Sequence, residues 1–213
     1  KASPSGFTVY VGIFVVSLFC GIFGTWMCIW LLKLLKYGKQ LNTNFKQLTL
    51  VIICALILAT SFYFIGKDAM GSGKELMEHA LFTNDKSVEW FIPFVRMGGL
   101  IASFGSGGAG GVFAPSLSSG ASFGAWVADW LHLTGENANL LILIGMTSFL
   151  TAVTRAPFTS AIIVFEMTDR HSIIFFLLVG AMIANLVASL VSEKSLYDRI
   201  KDSYLDEIDS NPD

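Results

Sequence analysis

Residues 105–115 read GSGGAGGVFAP, five glycines with a closing proline. From Met97 to Ala128 the chain carries no Asp, Glu, Lys or Arg. A glycine-rich loop ordinarily lies at a wet surface, because backbone N–H and C=O groups removed from water need partners. This one lies inside an uncharged run of membrane-spanning length. The question it raises is what its bare backbone groups serve.

The surrounding composition sets the medium. The 213 residues are 54% hydrophobic and 14% charged, with mean hydropathy +0.64, against roughly 25% charged residues in a soluble domain. Uncharged stretches run from Ala2 to Leu32, Gln47 to Gly66, Met97 to Ala128, Asn137 to Thr154 and Ser172 to Ser192. Each approaches or exceeds the ~18–20 residues a helix needs to cross a bilayer, and none shows the polar face of a soluble surface helix. The chain reads as an all-α, polytopic integral membrane protein. A net charge of −2 excludes the basic footprint of a nucleic-acid binder. Cys20, Cys28 and Cys54 all sit in apolar runs without a CxxC pair, which reads as small buried hydrophobes rather than disulfides or a metal site. No cofactor or metal is expected. The opening KASPSG lacks both an initiator Met and a signal peptide, and reads as a fragment whose natural start lies upstream.

The pattern predicts a long, tilted helix over 8–35, with Gly12, Ser17, Gly21 and Gly24 on a close-contact face. The basic loop holding Lys33, Lys36, Lys39 and Lys46 reads as cytoplasmic. Further helices are expected over 46–65, 74–81 (short and amphipathic), 88–104, 112–131, 140–153, 156–167, 173–191 and 195–205. A turn over 131–139 and a break at Arg155-Ala156-Pro157 separate some of them, and Pro157 suits the first turn of a new helix. Residues 206–213 read as an acidic cytoplasmic tail. Unequal helices with breaks at membrane depth are tolerated where backbone is buried in protein or lines a polar cavity, as in transporters whose half-helices meet near the midplane.

Several motifs compete for the glycine stretch. Gly105, Gly107 and Gly110 fit GxGxxG, with Asp129 downstream, but no strand precedes them as a dinucleotide fold requires. GSGKE at 71–75 lacks the spacing and the Ser/Thr of a P-loop. A flexible linker has no reason to sit in an uncharged stretch of this length. The electrostatic reading remains. A helix begins directly after the glycines, its first N–H groups lack internal partners, and the macrodipole makes that end positive. An anion can approach the amides of Val112 and Phe113. Weak binding without a formal cation suits permeation.

GSGGAGGVFAPSLSSGASFG (105–124), TRAPFTSAIIVFEMTD (154–169) and EKSLYDRI (193–200) resemble, in order, motifs of the CLC chloride channels and chloride/proton antiporters. The resemblance covers residues 8 to about 205 and corresponds to the C-terminal half, the second inverted repeat of that fold with its tilted and broken helices. It implies chloride as the transported ion, protons as a second partner in antiporters, a homodimer in the membrane, and a missing N-terminal half of the same protein as the completing partner. The family's anion-contacting serine (GSGIP-type) and gating glutamate (GxEGP) belong to that other half and are absent here, as are its cytoplasmic nucleotide-binding domains. The amides of Val112 and Phe113 would be chloride ligands. Gly105, Gly107, Gly110, Gly111 and Pro115 would shape the loop and helix start. Tyr197, on its own an interfacial aromatic, would point its hydroxyl at the central chloride from the inner side. A bacterial inner (plasma) membrane with a cytoplasmic C-terminus is implied.

Other groups carry plainer readings. Arg96 reads as snorkelling, while Arg155 and Glu166 read as structural pairing or capping rather than ion handling. His79, His132 and His171 are scattered. The alternatives are an intramembrane hydrolase, which would need a nucleophile with a base or metal-ligand pairs inside the spans, and a non-transporting membrane scaffold, which would not need the glycine loop.

Overall fold

The computed structural model describes residues 6–41, 43–66, 71–83, 86, 88–106, 110–168 and 173–210. Among them are nine helices: α1 (Phe7–Gln40), α2 (Asn44–Ile65), α3 (Lys74–Phe82), α4 (Ile92–Gly105), α5 (Phe113–Trp130), α6 (Gly135–Thr154), α7 (Pro157–Thr168), α8 (Ile174–Val191) and α9 (Leu196–Ser210). Of these, α1, α2, α6 and α8 are long and apolar enough to cross a membrane.

The centre is α1, α6 and α8 packed against one another, with α5 laid along α6. The small residues of α1 do what their spacing predicts. Gly12, Ser17, Gly21 and Gly24 are all buried, and a methyl group at Gly21 would stand 3.0 Å from the Ala184 carbonyl oxygen of α8. The closest approach is between α5 and α6. A Cβ at Gly120 would stand 2.2 Å from the Gly145 carbonyl oxygen, and one at Gly145 would stand 2.2 Å from that of Gly120. Small residues let two backbones touch where larger side chains would hold helices apart. Phe123, fully buried, closes the core: its ring lies 5.4 Å from Phe23, 5.5 Å from Phe94 and 6.1 Å from Phe149, joining α1, α4, α5 and α6.

Several expectations shift. Helix α1 runs on through Gln40, so Lys33, Lys36 and Lys39 lie on it rather than in a loop, and α4 begins at Ile92 rather than Val88. Helix α6 begins at Gly135, not Leu140. The Gly and Asn residues that suggest a turn are preceded by Thr134 at the N-cap and include Glu136 in the first turn, both helix-starting signals. Helix α9 runs on through Ser210 into the stretch read as a tail, since no Gly or Pro interrupts it before Pro212. Helix α5, uncharged until Asp129, is not among the membrane-length apolar helices. Its serines and glycines lower its apolarity, and Ser116 through Ala125 are buried inside the protein.

Candidate functional site

The glycine stretch ends at the start of α5. Val112 is the N-cap residue (φ −77°, ψ −15°), and among the described residues no side chain caps the helix. Among the described residues no acceptor takes the amides of Val112 or Phe113. Pro115 lies in the first turn, where an absent N–H removes nothing, and its carbonyl accepts the hydroxyls of Ser118 (3.0 Å) and Ser119 (2.8 Å).

The glycines divide. Gly105 is not in the loop: it is the last residue of α4, where a Cβ would meet Leu34 at 2.4 Å and Cys54 at 3.2 Å. Its smallness lets α1 and α2 close over α4. Gly110 and Gly111 have no left-handed φ, and a Cβ at either would meet no described atom within 4 Å. Neither strain nor crowding among the described residues asks for glycine there. They leave open the face over the first amides of α5. Gly107 lies outside the described residues.

Arg96 does not snorkel. It is 4% exposed; its Nε donates to Ser118 Oγ (2.8 Å) and its Nη2 to the Gly71 carbonyl (3.1 Å). It ties α4 and the lead-in to α3 onto the flank of α5. Gly73 fits this junction only as glycine: its φ is +77°, and a Cβ would stand 2.2 Å from Ser118 Cβ and 2.3 Å from Arg96 Nη2. The GSG of 71–73 is therefore a packing element. That Arg96 is the one charge between Glu89 and Asp129 was the signal available in the sequence.

Tyr197 lies in the first turn of α9, half exposed, and its hydroxyl makes no hydrogen bond among the described residues. Helix α9 packs on α1 and α6, which also carry α5. Tyr197 and Val112 thus share a scaffold without a direct bond. A capping box starts the helix: Ser195 Oγ accepts the Asp198 amide (3.0 Å), and Asp198 Oδ2 accepts the Ser195 hydroxyl (2.7 Å) and amide (3.2 Å). The Ser195 hydroxyl, and then its amide, hold the Asp198 carboxyl below its ordinary value. A lowered carboxylate contributes stability that is present above its ordinary value and lost as pH falls through the lowered one. Exchange protection of the amides at 196–199 should therefore stay constant from neutrality down to about pH 4 and fall only below it. Protection already falling near about pH 6 would contradict the capping box.

Arg155 caps. It takes a left-handed backbone (φ 58°) between α6 and α7, donates from Nη1 to Ser189 Oγ (2.9 Å), and donates from Nη2 to the Ala188 and Ser192 carbonyls at the end of α8. A cation suits that negative helix end. Glu166 is exposed on α7 and makes no hydrogen bond or ion pair among the described residues. Among the same residues, no group of three His, Cys, Asp or Glu side chains is placed to hold a metal.

A family model described as voltage gated chloride channel matches residues 3–189. The chain belongs to the voltage-gated chloride channel family. The "H(+)/Cl(-) exchange transporter ClcA" of Yersinia pestis is 33% identical over 138 residues, covering 62% of this chain and 29% of that protein. The "Voltage-gated ClC-type chloride channel ClcB" of Salmonella dublin is 41% identical over 105 residues, covering 47% and 24%. The crystal structure of a slow cyanobacterial Cl−/H+ antiporter superposes with a TM-score of 0.73 at 24% identity, over 92% of this chain and 48% of that one, which shows that the fold is shared. This family member therefore spans under a third of the curated relatives' length and about half of the structural neighbour's. The family's fold accounts for the broken, unequal helices, and the names of these relatives describe ion transport rather than hydrolysis.

Proposed function

We propose that this chain forms the chloride-binding C-terminal part of a chloride transport protein. The observation that carries the reading is the start of α5: two amides with no acceptor among the described residues, preceded by two glycines at which an added Cβ would meet no described atom within 4 Å. Chloride exchanges water for the Val112 and Phe113 amides, and the helix dipole supplies the attraction. Tyr197 contributes its hydroxyl from the inner side. The N-terminal half of the same protein completes the site. Its glutamates decide whether chloride moves passively or in exchange for protons, and relatives of both names exist. The apolar outer faces of α7 and α8, with Phe158, Ile162, Met182 and Leu186 exposed, meet a second copy in the membrane. The protein resides in a bacterial inner membrane, with α9 on the cytoplasmic side.

The test uses Gly111→Val in the full-length protein. A Cβ there meets no described atom, so the thermal midpoint should hold within a few degrees while the branched side chain screens the amides. Chloride binding by calorimetry should weaken by about tenfold or more, the loss of one charge-assisted hydrogen bond or somewhat over, and liposome chloride flux should fall with it. Unchanged affinity and flux would remove the amides from the site. Proton movement recorded alongside chloride movement identifies an exchanger, and chloride movement alone a channel.

A further inference from the structure

The first turn of α9 holds Tyr197, and little apolar packing fixes its direction. Leu196 is buried and Ile200 partly so, while Tyr197, Asp198 and Arg199 face outward. Polar bonds do the rest. The capping box sets the local turn. Arg199 Nη2 donates to Ser192 Oγ (2.7 Å), and that hydroxyl donates onward to the Lys194 carbonyl (3.3 Å). The Ser192 carbonyl is in turn held by Arg155. Two guanidinium groups therefore meet on one serine, Arg155 from the α6–α7 break and Arg199 from α9.

Arg155 holds its place against two local penalties. Its backbone is left-handed, unfavourable for a residue with a Cβ. Its Nε is buried with no hydrogen-bond partner among the described residues. Such a conformation persists only where its surroundings over-determine it, and here the over-determining contacts are the end of α8 and the Ser192 junction. The hydroxyls of Thr154 and Ser160, 3.4 Å apart, brace the break from the other side. The interruption between α6 and α7 is thus a rigid mount, and the α8–α9 junction hangs from it.

We propose that Arg155, acting through Ser192 and Arg199, is the positioning residue that aims Tyr197 at the anion. This rests on the chloride reading above. Arg155 does not touch the ion; its fork fixes the end of α8, Ser192 transmits that position to Arg199, and the first turn of α9 follows. Lysine cannot reproduce it, because one ammonium cannot hold three acceptors in a planar fork.

A double-mutant cycle on the full-length protein tests this, with chloride dissociation constants from calorimetry and thermal midpoints measured in parallel. Arg155→Met should weaken chloride binding by about fivefold in the native background and by less than about twofold when Tyr197 is already alanine, the signature of action through a neighbour. Arg155→Lys should fall between native and Met. Equal losses in both backgrounds, or no loss in the native one while Tyr197→Ala weakens binding, would overturn the positioning role and leave the chloride reading standing. No loss on Tyr197→Ala itself would instead sink the inner-side assignment, and this inference with it. If Arg155→Met fails to fold, Ser192→Ala serves: it keeps the backbone carbonyl for Arg155, cuts the link to Arg199, and should show the same coupling to Tyr197.

Discussion

Gly145→Ala is expected to unfold the helical centre. The added methyl would stand 2.2 Å from the Gly120 carbonyl oxygen and 3.1 Å from the Gly124 amide nitrogen. Both neighbours are backbone, so no side chain can swing aside. Helices α5 and α6 must separate, and the buried serines, Phe123 and Phe149 lose their packing with them. Forcing extra volume into a tight core costs about 1–3 kcal/mol where side chains can yield. Against rigid backbone the loss should exceed about 4 kcal/mol, the range reserved for gross steric failure. Gly98→Ala is the control: it lies in α4, and its Cβ would meet no described atom within 4 Å. It should be neutral or stabilising by up to about 1 kcal/mol, because alanine is the better helix former. Size-exclusion profiles and thermal midpoints in detergent decide the matter. A Gly145→Ala protein that melts with the native one would mean that the two helices do not touch as described.

Arg96→Met carries the second large effect. The substitution keeps much of the side chain's length and removes every donor. The Gly71 carbonyl loses the guanidinium that reaches it, and Ser118 Oγ loses its donor while keeping its own bond to the Pro115 carbonyl. Acceptors stripped of a charged donor in a buried place cost about 1–3 kcal/mol each. The total should come to about 3 kcal/mol, with the lead-in to α3 detaching first. Hydrogen exchange should show 71–83 losing protection before α5 does. Arg96→Lys should recover part of it, since one ammonium can reach one of the two described acceptors. Unchanged protection at 71–83 would show that Arg96 is not what holds that segment.

The elements were legible where a local signal existed. The run of small residues on α1 announced its contact face, Pro157 announced the start of α7, and the glycine stretch announced an exposed helix end. What stayed hidden depended on partners distant in sequence. Arg96 reads as a lone cation until Ser118, 22 positions on, is brought beside it. Gly120 and Gly145 each look unremarkable until α5 and α6 turn them face to face. Gly105, read with its neighbours as loop, belongs to α4 because its constraint comes from Leu34 and Cys54. The Ser-x-x-Asp spacing at 195–198 was readable as a capping box, and it places Tyr197 inside a fixed turn rather than on a loose interfacial segment. The serines of α5 misled in the opposite sense: an uncharged run of spanning length was a buried axis, because hydroxyls that bond back to their own helix can be enclosed where charges cannot.

Those back-bonded hydroxyls bear on the peptide unit at the head of α5. The Val112 carbonyl accepts twice from Ser116, once from its amide at 3.1 Å and once from its hydroxyl. Drawing electron density toward an oxygen with two donors leaves the N–H at the other end of the same peptide more electropositive, the cooperative polarisation expected along a hydrogen-bond chain in a medium of low dielectric. That N–H belongs to Phe113. One serine side chain, a full turn away and sealed from solvent, thereby sharpens a donor it never touches, so that under the proposed chloride reading the strength of the site is adjustable without placing any charge near the ion.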